Sequence, residues 1–150
     1  MIIGITGTNG AGKGEIVELL KSYGFRQYSV RELLVQELER RGIPVNRDNL
    51  VKMGNEFREK NSPSFLIEQL YEKARINGGN SIIESIRTLG ELYALRAKGN
   101  FYLISVDASP FLRYNRILRR NKPTDEVSFE KFLEQDRAEM NSPNNSFSLP

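Results

Sequence analysis

Cysteine and histidine are both missing from the 150 residues. The first absence excludes a disulfide framework and a thiolate zinc site. The second excludes Ser-His and Cys-His nucleophile pairs and imidazole metal ligands. Chemistry must therefore run on carboxylates, lysine, arginine, hydroxyls and bound metal. Long apolar runs are missing too: none approaches the ~18–20 residues of a membrane span. The start, Met1-Ile2-Ile3-Gly4-Ile5, lacks the basic leader and cleavage site of a secretory signal. A cytoplasmic protein is the expectation from these absences. Neither sign of charge is in large excess. Net charge is +3, and the pI near 9.2 is partly a consequence of having no histidine. Basic residues are spread over several segments, so nucleic acid is not an expected partner on bulk charge. Length fits one domain over 1–150 with a single core, at 39% hydrophobic and 27% charged residues, as in ordinary globular proteins.

What is present begins with Gly7-Thr8-Asn9-Gly10-Ala11-Gly12-Lys13. It follows the apolar run at residues 1–6 and opens the helix-patterned Ile16-Val17-Glu18-Leu19-Leu20. Strand, then G-x-x-x-x-G-K, then helix is the arrangement that holds a nucleoside triphosphate by its phosphates. The glycines let the backbone turn tightly, so successive N–H groups point into one concavity. The helix adds the positive end of its dipole, and Lys13 a full charge toward the outer phosphates. Thr8, Asn9, Gly10, Ala11, Gly12, Lys13, Gly14 and Glu15 are the candidate nucleotide-binding residues. Phosphoryl transfer suits a chain without histidine, because it depends mainly on positioning and charge stabilisation.

After Lys13 a Ser or Thr is expected, whose hydroxyl helps hold Mg²⁺. Gly14 and Glu15 stand there instead. The version G-x-x-G-x-G-K-G-T is found in adenylate kinase and its relatives, and Gly7-x-x-Gly10-x-Gly12-Lys13-Gly14 resembles it closely. Glu15 then replaces the family's Thr. A carboxylate in the first helical turn is favoured by the dipole, yet it repels a triphosphate unless a metal lies between. Glu15 therefore either contributes to a Mg²⁺ site or marks weakened ATP chemistry.

Along the chain, elements alternate as in a parallel sheet with crossover helices. The pattern predicts strands over 1–6, 25–30, 81–85 and 101–106, the last apolar as buried parallel strands are. Helices are predicted over 14–22, 31–41, about 48–60, 64–76, 89–97, 110–120 and 128–140. Asn46 or Asp48 is the expected cap of the third helix. Ser109 caps the sixth, with Pro110 at its first position. Loops are expected at 43–46 and 121–124, and a polar, disordered tail at 141–150. No internal repeat and no domain linker is visible.

Ligands of open parallel sheets gather at the carboxyl ends of the strands. The strand predicted over 81–85 ends in Glu84, where a carboxylate holding Mg²⁺-bound water near the loop is usually found. Arg87, three residues on, has the planar fork suited to an acceptor phosphate. Arg113, Arg116, Arg119 and Arg120 recur at three- to four-residue spacing and can share one side of a helix. Asp136-Arg137 follows in the last helix.

The likeness to adenylate kinases extends to these segments. Glu84-Ser85-Ile86-Arg87-Thr88 looks like a shortened form of the family's D-G-F-P-R-T, whose Arg grips the monophosphate. Tyr28-Ser29-Val30-Arg31-Glu32-Leu33-Leu34 is similar to the family's S-T-G-D-L-L acceptor segment. By that match Ser29 falls on the serine, Arg31 replaces the glycine and Glu32 the aspartate. Val35 stands where those kinases often have an acceptor-binding Arg, a task that Arg31 would take over from a shifted position. The resemblance places Arg58 on a helical acceptor-binding region (31–76), with Arg47 and Asn55 nearby. It places Arg116, Arg120 and Arg137 in a lid region (116–140) that neutralises the transferring phosphoryl group.

The fold so implied is a three-layer α/β P-loop NTPase with a parallel sheet, a helical acceptor-binding insertion and a lid. The final strand and helix usual after the lid are not recognisable. The implied function is ATP-dependent transfer to a nucleotide or nucleoside monophosphate, with ATP and Mg²⁺ as cofactors. Lys13, Arg87, Arg116, Arg120 and Arg137 would be catalytic; Ser29, Arg31, Arg58 and Arg87 would bind the acceptor, and Glu84 the metal. The alternatives are a catalytically weak nucleotide-sensing domain and a kinase for a related molecule such as dephospho-coenzyme A. Against the latter, the acidic pair expected after the second strand is missing. Small-molecule nucleotides are the expected partners, with a homodimer or a nucleotide-modifying partner domain as protein options. No membrane partner is expected.

Overall fold

A computed structural model of the chain describes residues 1–84, 86–120 and 127–140, with side chains to residue 138. Ser85 at the predicted strand end, the loop expected at 121–124 and the tail expected at 141–150 lie outside the described residues. The elements run β1 (Ile2–Gly7), α1 (Lys13–Ser22), β2 (Arg26–Tyr28), α2 (Val30–Arg40), α3 (Arg47–Lys60), α4 (Phe65–Asn77) and β3 (Ser81–Glu84). Then come α5 (Leu89–Lys98), β4 (Phe101–Val106), α6 (Pro110–Arg119) and α7 (Phe129–Met140).

The sheet order is β2-β3-β1-β4 and every neighbouring pair is parallel. β1 therefore lies inside the sheet, and its six residues are all buried. Alternation along β1 separates two cores. Ile3 and Ile5 pack with Ile82 and Val17 of α1 on one face. Ile2 packs with Ile83, Ile67, Leu70, Leu92 and Leu95 on the other, under α4 and α5. Burying one Leu or Ile contributes roughly 1.5–3 kcal/mol, so these two layers hold the sheet edge that carries the loops. A satellite cluster of Leu34, Leu38, Met53 and Leu66 joins α2, α3 and α4.

Two expectations need correction. β2 is shorter than predicted because Ser29 leaves the extended strand to cap α2, its Oγ accepting from the Glu32 N–H at 3.1 Å. β4 is parallel, as expected, but not buried on both sides. It is the edge of the described sheet, and Tyr102 is 59% exposed. Its apolar run gave no hint of that, since an edge strand shares one face pattern with an interior one.

Charge fastens the outer helices. Glu37 accepts from Arg40 and Arg41, and Arg41 also reaches Glu56 of α3 at 3.3 Å. Those arginines hold the Glu37 carboxyl down to about 2. Its stabilising contribution is present above the ordinary carboxylate range and is lost only as pH falls toward that value. At the start of α5, Thr88 and Glu91 form a capping box. Glu91 Oε2 accepts from the backbone N–H groups of Arg87 (2.8 Å) and Thr88 (3.1 Å). This box fixes the chain just after β3. Thr88→Ala is expected to cost about 1 kcal/mol, read as a lower urea midpoint with an unchanged slope.

Candidate functional site

Because the strands are parallel, their carboxyl ends meet at one edge. β1 delivers the loop Gly7 to Lys13 there, β3 delivers Glu84, and β4 delivers Asp107. The loop turns through Gly7, Gly10 and Gly12, with φ of 145°, 79° and 104°. Ser29, Asn46, Thr88 and Ser109 cap α2, α3, α5 and α6 with their side chains. α1 begins at Lys13, and its N-cap Gly12 supplies no side-chain capping bond, nor does Ser64 before α4. The Glu15 N–H turns back to the Gly12 carbonyl at 3.2 Å, and the start of the helix directs its dipole toward an anion in the loop.

Around this turn the side chains are organised by position on α6. Arg113 and Arg116, with Arg120 at the C-cap, are spaced by three and four residues and reach two loop residues, Asn9 and Ala11. Arg116 Nη1 donates to the Ala11 carbonyl at 3.0 Å, and Arg120 Nη2 to Asn9 Oδ1 at 3.4 Å. Arg113 Nη1 donates to the Asn9 carbonyl at 3.3 Å. The sequence spacing suggested that all four arginines could share a side. Arg119 and Arg120 are both exposed, and of these two only Arg120 bonds to the loop among the described residues. Lys13 Nζ donates to the carbonyls of Gly7 (2.8 Å) and Thr8 (2.7 Å), and so lies over the start of the loop. Thr8 Oγ1 donates to Asp107 Oδ1 at 2.6 Å, which ties the loop to the end of β4.

Gly14 and Glu15 are exposed in the first turn of α1. Glu15 Oε2 and Arg116 Nη1 lie 3.9 and 3.6 Å from the point that a Cβ would occupy on Gly12. A carboxylate and a guanidinium thus flank the same glycine. Glu84 is half-buried, and Gln27 Nε2 donates to its Oε2 at 2.8 Å. Among the described residues no group of three acidic side chains gathers into a metal cage. One strand-end carboxylate with one oxygen committed to Gln27 nevertheless fits Mg²⁺, which keeps several waters and takes its other ligands from substrate phosphates. Glu84 would hold that water shell.

The remaining candidates are farther from the loop in bonding terms. Ser29 caps α2. Arg31 is exposed in the first turn of that helix. Arg58 is half-buried on α3, its Nη1 3.1 Å from the Cβ position of Gly54 on the same helix. Arg87 is exposed just after β3, and Arg137 is exposed on α7. No hydrogen bond among the described residues joins these four arginines to the loop. Three groups had escaped notice as site residues: Asp107, Gln27 and the buried pair of Arg113 with Asp136. Asp107 carried a legible signal, an acid directly after an apolar strand, as Glu84 did. Gln27 carried none; Arg113 was visible in the spaced arginines, but its pairing with Asp136 was not, since packing sets both partners.

The glycine loop between β1 and α1, with β3 directly beside β1, defines a P-loop NTPase fold of the kinase-like kind. A family profile described as AAA domain matches residues 3–141, and the chain belongs to that family. It is 28% identical over 141 residues to a UPF0200 protein of Hyperthermus butylicus, spanning 93% of this chain and 76% of the relative. A UPF0200 protein of Methanocaldococcus jannaschii is 29% identical over 148 residues, with coverage of 93% and 73%. In structure it is similar to TT1252 from Thermus thermophilus, with a TM-score of 0.61, 22% identity, and 94% and 81% of the two chains covered. A gluconokinase from Sinorhizobium meliloti aligns with a TM-score of 0.52 and 15% identity, covering 94% of this chain and 75% of its own. No helix among the described residues is long and apolar enough to cross a membrane.

Proposed function

We propose that the chain binds ATP with Mg²⁺ on the phosphate loop and transfers the γ-phosphoryl group to a nucleotide or nucleoside monophosphate. One observation carries this reading: an uncapped helix start at Gly12, with Lys13, Arg116 and Arg120 bonded to the loop that precedes it. Gluconokinase activity on the same fold supports a phosphoryl donor, and the loop's likeness to adenylate kinases supports a phosphate-bearing acceptor.

In this reading the loop amides and Lys13 hold the β and γ phosphates. An oxygen of the acceptor phosphate attacks the γ phosphorus, and the bond from that phosphorus to the β–γ bridging oxygen breaks. ADP leaves with the electron pair. A phosphate is already a nucleophile at neutral pH, so no general base is required, which suits a chain without histidine. Arg116, Arg120 and Arg137 offset the charge that develops on the transferring group. Arg31, Arg58 and Arg87, with Ser29, orient the acceptor. Glu84 would hold Mg²⁺ through its waters, and the ion would offset charge on the phosphates.

Glu15 favours a second reading, a domain that binds nucleotide without transferring phosphate. Its carboxylate flanks Gly12 beside Arg116, where it opposes a polyphosphate and competes for that guanidinium. The test is ADP release from ATP–Mg²⁺ with a panel of monophosphates that includes dephospho-coenzyme A, for the wild type and Glu15→Thr. Turnover by the wild type with one acceptor supports the kinase. ATP binding without turnover in the wild type, and turnover gained by Glu15→Thr, supports the binding domain. No ADP release above blank by either protein, with any acceptor, excludes transfer.

A further inference from the structure

Arg113 is the buried α6 arginine, and the proposed chemistry does not use it. Its side chain is only 3% exposed, and that of Asp136 on α7 only 7%. The two form a bidentate pair, Nη1 to Oδ1 at 2.6 Å and Nη2 to Oδ2 at 2.7 Å. The same guanidinium donates to the carbonyls of Asn9 (3.3 Å) and Ala108 (2.8 Å) and lies over the Phe132 ring at 5.5 Å. At the backbone, the Arg113 carbonyl comes within 2.8 Å of where a Cβ would sit on Gly10. Residue 113 therefore touches two successive loop residues, while its charge is committed to α7. A buried ion pair adds little net stability over a well-packed apolar pair of similar volume. Stability alone does not account for placing one against a phosphate loop.

We propose that Asp136 is a positioning residue for the phosphate loop. It orients the Arg113 guanidinium, which in turn holds the Asn9 carbonyl turned away from the anion site and its peptide N–H, on Gly10, turned toward it. The link also makes the seating of α7 on α6 a condition for a competent loop. A hollow lined by Asn9, Phe132, Gln135, Asp136 and Ala138 lies between the loop and α7, while α6 and α7 pack through Tyr114, Phe129 and Phe132. This inference rests on the phosphate-site reading above and adds a residue that the reading does not contain.

Electrostatics and positioning predict opposite signs for Asp136→Asn. Removing a negative charge beside the loop should by itself tighten anion binding. Loss of the orienting carboxylate should weaken it by about tenfold, the worth of one charge-assisted hydrogen bond. The experiment is calorimetric titration of the full chain with ATP–Mg²⁺ and with inorganic tripolyphosphate, for the wild type, Lys13→Ala, Asp136→Asn and Asp136→Glu. Both ligands should bind Asp136→Asn about tenfold more weakly, with partial rescue in Asp136→Glu. The amide signal of Gly10 in a nitrogen–proton correlation spectrum should move in Asp136→Asn without any ligand. Should Asp136→Asn fail to fold, the apolar pair Arg113→Met with Asp136→Leu is the second variant, which should keep the fold and still bind about tenfold more weakly. Binding equal to or tighter than wild type in either folded variant overturns the inference and leaves the phosphate-site reading standing. A wild type that binds neither ligand, or binds both as well after Lys13→Ala, overturns that reading and this inference with it.

Discussion

Replacing Lys13 by alanine should raise the dissociation constant for ATP–Mg²⁺ by roughly a hundredfold or more. The ammonium offers charge-assisted hydrogen bonds worth about 1.5–3 kcal/mol each, and two phosphate contacts would give about 3–6 kcal/mol. Its present partners are the Gly7 and Thr8 carbonyls at 2.8 and 2.7 Å. Without Lys13, two carbonyl dipoles lose the charge that masks them next to an anion. Folding should lose less than binding does. Water can solvate the two part-buried carbonyls once the side chain is gone, and removal of a cation from a helix N-terminus relieves about 0.3–1 kcal/mol. Calorimetry should therefore show a loss of binding free energy larger than the loss of stability read from the melting temperature. Affinity within threefold of wild type would mean that the loop does not hold the polyphosphate.

The largest stability effect is expected from Gly7→Ala. Gly7 has φ of 145°, and a Cβ there would sit 2.0 Å from the Val106 carbonyl oxygen. Val106 is its partner in the β1–β4 ladder, so the clash is with backbone and no side-chain rotation relieves it. Backbone strain of about 1–3 kcal/mol and the overlap of about 1–3 kcal/mol give a loss of roughly 2–6 kcal/mol. At about 2–4 °C per kcal/mol for a chain of this size, the melting temperature should fall by about 10 °C. Gly14→Ala is the matched control. Nothing lies within 4 Å of a Cβ at Gly14, and alanine is about 1 kcal/mol better than glycine in a helix. That variant should melt at or above the wild type. Similar melting temperatures for Gly7→Ala and the wild type would show that the β1–β4 junction is looser than this geometry.

The two ends of legibility are seen in α6. Ser109 as cap and Pro110 at the first position were readable, and the helix starts there. The fate of its arginines was not. Spacing placed four guanidinium groups near one side, but only packing against Asn9, Ala11 and Asp136 sorted them into loop contacts, a buried pair and an exposed remainder. β2 shows the same limit at a boundary. Ser29 suits a strand end and a helix cap equally, and the sheet register with β3, which stops at Tyr28 and Ile83, decided between them. Gln27 beside Glu84, and Asp107 beside Thr8, are contacts across 57 and 99 residues of sequence. No local pattern encodes those.

Local chemistry by itself determined the glycine turn, the lysine that opens α1, the alternation of strands with helices, and the strand-end acid Glu84. These depend on φ, on hydrophobic period and on capping, which act within a few residues. Tertiary structure alone decided the sheet order, the edge position of β4, and which arginine turns inward toward a carboxylate. Those outcomes depend on burial and on the low-dielectric pairing that burial enforces, and both exist only once distant segments have packed.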